Sequence, residues 1–117
     1  MTTTTAISEL QVFKAEFFKA LAHPLRIRIL ELLLDGERSV QELQAELSLE
    51  QPVTSQQLAV LRAKNIVVAH KEGTIVRYAV RDPQVGDLLA VARRIFNAHL
   101  IGRQAMLREL RREGRRR

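Results

Sequence analysis

The chain has 117 residues, a formal charge of +6 and no cysteine. That length suits a single domain, and the missing thiols exclude disulfides, thiolate metal sites and cysteine redox sensing. No apolar run approaches the roughly 20 residues that span a bilayer, and MTTTTAISEL lacks the basic start and apolar core of a secretory signal, so a soluble cytoplasmic protein with no membrane partner is expected.

Residues 1–7 read as a flexible, Thr-rich start. A first helix is expected from near Ser8 to Ala20, with Leu10, Phe13, Phe17 and Leu21 spaced as one apolar stripe. Pro24, whose fixed φ suits a first helical turn, opens a second helix with Leu25, Ile29, Leu32 and Leu33 inward. Gly36 is expected to end it in a left-handed conformation. Ser39 and Glu42 have the spacing of a capping box, so a short third helix follows, carrying Val40, Leu43 and Leu47. It stops near Ser48, because Pro52 disfavours helical geometry at Gln51.

Pro52 opens a fourth helix, to about Lys64. Thr54, Leu58 and Leu61 share one side of it, and Gln56 points away among the small residues Ala59 and Ala63. Residues 66–80, IVVAHKEGTIVRYAV, then change to a β-branched alternation. Glu72–Gly73 sits at the middle, which predicts two strands joined by a tight hairpin. Asp82–Pro83 starts a long last helix with Val85, Leu88, Ala92, Ile95, His99, Met106 and Leu110 on a stripe. Residues 8–110 form the domain and 111–117, RREGRRR, a basic tail. A domain of this size rarely covers both this stripe and the aromatic first helix. The first and last helices are therefore expected to build a homodimer interface, with Phe13, Phe17, Leu88, Ile95 and His99 in it.

Two short helices, a tight turn and a hairpin make a winged helix-turn-helix, a mainly α fold with a β-hairpin wing. The charge distribution agrees with a polyanionic partner. Residues 1–50 hold five Lys/Arg against eight Asp/Glu, and residues 51–117 hold fourteen against five. No acid follows Glu50 until Glu72. A carboxylate-free helix offering amides and hydroxyls suits double-stranded DNA, where a glutamine amide can pair with adenine N6 and N7. Gln56 and Ser55 are expected to read bases, helped by Gln51 and Thr54 near the helix start, and Gln57 is a further DNA-binding candidate. Arg62, Lys64, Lys71, Arg77 and Arg81 are the candidates for phosphate contacts, and Thr74 is a further DNA-binding candidate. No Gly-rich phosphate loop, catalytic carboxylate pair or nucleophile–base pair is recognisable, so an enzyme is not expected.

Three segments, FKALAHPLRIRILELL, LSLEQPVTSQQLAVLRAKNIV and EGTIVRYAV, resemble the ArsR/SmtB bacterial repressors over about residues 13–100. The resemblance implies a homodimer on an imperfect inverted repeat, usually repressing, with an effector that lowers DNA affinity. One departure is Thr54, where the family usually has an aliphatic residue; its hydroxyl is expected to bond back within the helix.

The family's usual metal ligands are missing. Ser39 and Gln41 occupy the positions of a cysteine pair, and neither is a soft-metal ligand. On the last helix Asp87 matches, but Leu89 replaces a histidine, His99 is one residue out of step, and Gly102 stands three beyond it. Tetrahedral zinc needs four ligands. His23 reads as structural, and His70 as a wing residue facing phosphate or water. His99 reads as an interface histidine, the alternative being an atypical Ni²⁺ or Zn²⁺ site or a pH sensor. A regulator controlled by an effector protein or small ligand is the remaining alternative.

Overall fold

The computed structural model describes residues 6–116, with side chains described through Gly114. Residues 1–5 of the expected flexible start, and Arg117 of the basic tail, lie outside these described residues.

Helix α1 (Glu9–Leu21) begins at Ser8 with a capping box that the sequence reading did not single out. The Ser8 hydroxyl accepts from the Gln11 amide at 3.3 Å, and Gln11 Oε1 accepts from the Ser8 amide at 2.9 Å. Helix α2 (Pro24–Asp35) has Pro24 in its first turn. His23 is its cap, with Nδ1 accepting from the Leu25 amide at 3.1 Å. This satisfies one of the orphan donors of a helix start and gives His23 the structural role expected of it.

Gly36 ends α2, but at φ 154° rather than in the left-handed helical region. A Cβ there would meet Arg38 Nη1 at 3.1 Å. Strand β1 (Arg38–Ser39) follows, two residues that the sequence reading left out. Helix α3 (Val40–Leu47) opens on the expected capping box. Ser39 Oγ accepts from the Glu42 amide at 3.2 Å, and Glu42 Oε1 accepts from the Ser39 amide at 3.0 Å. Ser48 turns the chain at φ 54°, ψ 48°, and α4 (Gln51–Ala63) starts three residues later.

Asn65, at φ 59°, turns α4 into β2 (Val67–Glu72). Strand β3 (Ile75–Val80) pairs antiparallel with β2, and β1 pairs with the other edge of β3, so the sheet order is β1-β3-β2. Glu72 pairs with Ile75, which leaves Gly73–Thr74 as the two-residue loop, one residue beyond the expected centre. Gly73 has φ 67°. Glycine with positive φ at the first of two central positions suits the right-handed twist of a hairpin.

The chain divides into two compact units, the first ending at Pro83 and the second beginning at Gln84. In the first, Ile29 and Leu30 of α2, Leu43 of α3, Leu58 and Leu61 of α4, and Val67 of β2 are almost wholly buried. Thr54 is buried with them, at 0% exposure. Its hydroxyl donates to the Glu50 carbonyl at 3.3 Å, the back-bond expected of it. Phe17 is half-buried and stacks edge-on against Phe18, with centroids 5.5 Å apart. Phe13 stays 73% exposed.

The second unit is α5 (Gln84–Arg116), 33 residues or about 50 Å of helix. It runs on through the segment expected to be a separate tail. Leu88 is half-buried, whereas Ile95, Phe96, His99, Ile101 and Met106 are exposed. No helix among the described residues is long and apolar enough to cross a membrane.

The capping box gives a prediction about acid stability. The Ser39 amide holds the Glu42 carboxyl below its ordinary pKa against the opposing effect of desolvation, aided by the nearby Arg77 charge and by the Ser39 and Arg77 side chains. A carboxylate depressed in the folded state contributes stability in full above its unfolded pKa. That contribution is lost as pH falls through the folded value. Urea denaturation at neutral pH should show Ser39→Ala costing about 0.5–2 kcal/mol. Glu42→Gln should lose part of the wild-type fall in stability on acidification. An identical acid profile in wild type and Glu42→Gln would remove the carboxylate from this role.

Candidate nucleic-acid interface

Packing decides which face of α4 is available. Burial of Thr54, Leu58 and Leu61 turns the opposite side outward, where Gln56, Ala59, Arg62 and Ala63 are exposed. The small side chains of Ala59 and Ala63 leave that face low beside Gln56. Gln51 is exposed, and its amide donates to Ser55 Oγ at 3.3 Å, so two of the expected polar residues are joined across one turn. No residue from Gln51 to Ala63 is acidic.

The wing flanks this helix. A groove of about 550 Å³ runs between the starts of α3 and α4 and the strand β3, lined in part by Gln41, Gln51, Ser55, Thr74 and Tyr78. A second, of about 340 Å³, lies along α4 itself, where Ser55, Ala59 and Arg62 meet Tyr78. Ser55 and Tyr78 belong to both. Tyr78 was missed by the sequence reading. Its one available signal was its place in the strand alternation, on the opposite side from Arg77.

Of the expected site residues, Gln51, Ser55, Gln56, Arg62 and Thr74 come together around α4 and the grooves. Lys71 is exposed on β2, and neither it nor Arg62 makes an ion pair among the described residues. Lys64, at the end of α4, lies 3.7 Å from Glu16 of α1, with both side chains about half exposed. Such a surface pair contributes little and leaves the ammonium able to turn to another anion.

Three of the expected site residues are engaged within the fold. Thr54 has no exposed surface, so it supports α4 from within and cannot touch a base. Gln57 is half-buried, and its Oε1 accepts from Arg26 Nη1 at 2.8 Å. Its amide oxygen is engaged inside the fold. Arg77 is turned to protein acceptors instead of outward. Its Nη1 donates to Glu42 Oε1 at 3.1 Å and its Nη2 to the Glu37 carbonyl at 3.0 Å. Its Nε lies 3.8 Å from Glu37 Oε1 and 3.7 Å from Glu72 Oε2.

The same corner is where metal-ligand spacing occurs among the described residues. One ligand atom each from Glu37, His70 and Glu72 lie within 4.8 Å of one another, all on exposed side chains. His70 Nε2 is 3.5 Å from Glu37 Oε1. Two carboxylates and an imidazole suit a borderline divalent cation. The Arg77 guanidinium already stands against both carboxylates, so such an ion would have to compete with it. His99 is exposed on α5.

The arrangement matches known proteins. The family model described as "Bacterial regulatory protein, arsR family" matches residues 23–68, from the α2 cap into β2. A helix-turn-helix transcriptional regulator of Mycobacterium tuberculosis is 49% identical over 102 residues, 86% of this chain and 90% of that protein. Its crystal structure superposes with a TM-score of 0.78 at 47% identity, covering 83% of this chain and 98% of that one. A homodimeric winged helix-turn-helix DNA-binding domain from Mycobacterium bovis is 30% identical, with a TM-score of 0.74 over 86% of this chain and 94% of the other. A biofilm growth-associated repressor of Agrobacterium fabrum is 39% identical over 84 residues, 72% of each chain. The chain belongs to the ArsR family of bacterial regulatory proteins, which are helix-turn-helix transcriptional regulators and not enzymes.

Proposed function

We propose that the protein is a repressor that binds an inverted repeat in promoter DNA as a homodimer, with α4 in the major groove. The observation that carries this reading is the exposed face of α4. It is free of carboxylates, low at Ala59 and Ala63, and presents the Gln56 amide with no intramolecular partner among the described residues. Gln56 and Ser55 read base edges, with Gln51 at the start of the helix. Arg62, Lys64, Lys71 and Thr74 hold the sugar-phosphate backbone. Tyr78 closes the groove between helix and wing, where its ring can meet a thymine methyl or its hydroxyl a phosphate. The Agrobacterium relative named as a repressor supports the sign of regulation. The homodimeric Mycobacterium bovis domain supports the assembly. The dimer forms through α1 and α5, where Phe13 and Ile95 are 73% and 62% exposed. It works in the cytoplasm, where promoter DNA is reached.

Fluorescence anisotropy with a duplex selected from a random pool tests the base-reading role. Gln56→Ala should cost about 1–3 kcal/mol on the selected duplex and little on random DNA. Equal losses on both would assign Gln56 to the backbone instead.

The salt dependence separates two basic residues of the wing. Lys71→Ala should lower the slope of log K against log[salt] by about 0.9, the release of one phosphate's counterion. Arg77→Ala should leave that slope unchanged while lowering the urea midpoint, because Arg77 serves the fold. A slope change for Arg77 and none for Lys71 would reverse their roles.

Ile95→Glu places a charge on the exposed apolar face of α5. Sedimentation velocity should show monomers at micromolar concentration, with loss of tight binding to the selected duplex. An intact dimer in this variant would exclude Ile95 from the interface.

A further inference from the structure

Arg26 sits in the first turn of α2 and reaches two other helices. Its Nε donates to the Ala20 carbonyl at 2.6 Å and its Nη2 to the Lys19 carbonyl at 3.4 Å. Both acceptors lie in the last turn of α1, where carbonyls have no i+4 helical amide and the dipole favours a cation; the Lys19 carbonyl also accepts from the Ala22 amide at 3.2 Å. Its Nη1 donates to Gln57 Oε1 on α4 at 2.8 Å. The guanidinium is a rigid planar fork, so contacts made from different nitrogens fix the relative orientation of their acceptors. Gln57 lies in sequence between the exposed Gln56 and the buried Leu58. Restraining Gln57 therefore restrains the rotation of α4 that aims the Gln56 amide.

We propose that Arg26 is a positioning residue that ties the rotation of the recognition helix to the C-terminal end of α1, through Gln57 and without touching DNA. This rests on the DNA-binding reading above. It also gives α1 a part in recognition. That helix carries the exposed side chains of Leu10 and Phe13, and Arg26 links whatever packs on it to α4, beside the surface pair of Lys64 with Glu16. The small hydrogen-bonded node is suited to the task because Gln57 is neutral. The pair holds by geometry, and the charge of Arg26 is directed at the α1 carbonyls.

The test is a double-mutant cycle on the full chain, using the duplex selected from a random pool by the wild-type protein and a random duplex of equal length. Arg26→Ala removes the whole node. Gln57→Leu removes the link to α4 and keeps the bonds to α1, which guards against a variant that simply fails to fold. Each is expected to weaken binding to the selected duplex by about 3- to 30-fold. The double variant should be no weaker than the weaker single one. Random-duplex affinity and the salt slope should not change. Additive losses would mean that Gln57 touches DNA independently of Arg26. A shallower salt slope for Arg26→Ala would make Arg26 a phosphate contact. Unchanged affinity in both variants would leave no positioning role. Each of these three results overturns the proposal. Hydrogen exchange of the free protein is the second readout. Amides of α4 should exchange faster in both variants, and equal rates to wild type would also overturn it. Failure of the wild-type protein to select any duplex would instead overturn the DNA-binding reading, and the exchange rates would still decide the role of Arg26.

Discussion

The face that α4 shows to its partner is set by what it hides. Successive residues of a helix are separated by about 100°, so turning α4 by one residue would exchange much of its buried side for its exposed one. Thr54, Leu58 and Leu61 are each at most 1% exposed, and burying such side chains contributes about 1.5–3 kcal/mol apiece for the large aliphatic ones. That sum is far larger than any surface contact on the other side. The exposed face of α4, the proposed reading face, is therefore set coarsely from within by the residues that build the core, which leaves the Arg26–Gln57 bond to restrain its finer rotation. Thr54 shows how strict this is. A hydroxyl at a fully buried position is accommodated because it can donate back to the Glu50 carbonyl of its own helix, which avoids an unsatisfied polar group.

The basic residues divide into two groups by their acceptors. Arg26 and Arg77 donate to protein carbonyls and side chains. Arg62 and Lys71 make no ion pair among the described residues. Arg77 is surrounded by Glu37, Glu42 and Glu72, which join the α2–α3 connection, the start of α3 and the hairpin. A planar fork with several donors suits such a junction better than a lysine would. Arg62 and Lys71, without an acid partner among the described residues, are the cations of the proposed DNA contact. Formal charge alone would not separate the two groups.

This is also where the sequence stops being informative. The Ser39–Glu42 box, the turn at Ser48 and the inward side of α4 were legible because their causes lie within three or four residues. The hairpin was legible from alternation, and its centre slipped by one residue because Gly73 serves either register until the Glu72–Ile75 pair is seen. Strand β1 has two residues, too few for any period. Arg26–Gln57 and Arg77–Glu42 join positions 31 and 35 residues apart, and no local pattern announces them. Residue type makes Gln57 and Arg77 candidates for DNA contact but does not reveal their partners elsewhere in the chain. Tyr78 was overlooked because a strand tyrosine looks like core until a groove beside α4 is found.

The apolar side chains left in solvent follow from the same physics. In α1, Leu10 and Phe13 are exposed; in α5, so are Ile95, Phe96, Leu100, Ile101, Met106 and Leu107. Scattered apolar residues on a surface are ordinary, but a run of them along one 33-residue helix is not. Most helical stability in proteins comes from packing an apolar face and not from intrinsic propensity. A helix of that length therefore needs a partner to bury this face. A second copy of the chain supplies the same residues in the same order, so one sequence satisfies both sides of an interface with two-fold symmetry. In the proposed dimer that symmetry passes directly to the DNA. Two identical α4 helices related by a dyad read two half-sites related by the same dyad, and the operator becomes an inverted repeat because the protein is a symmetric pair.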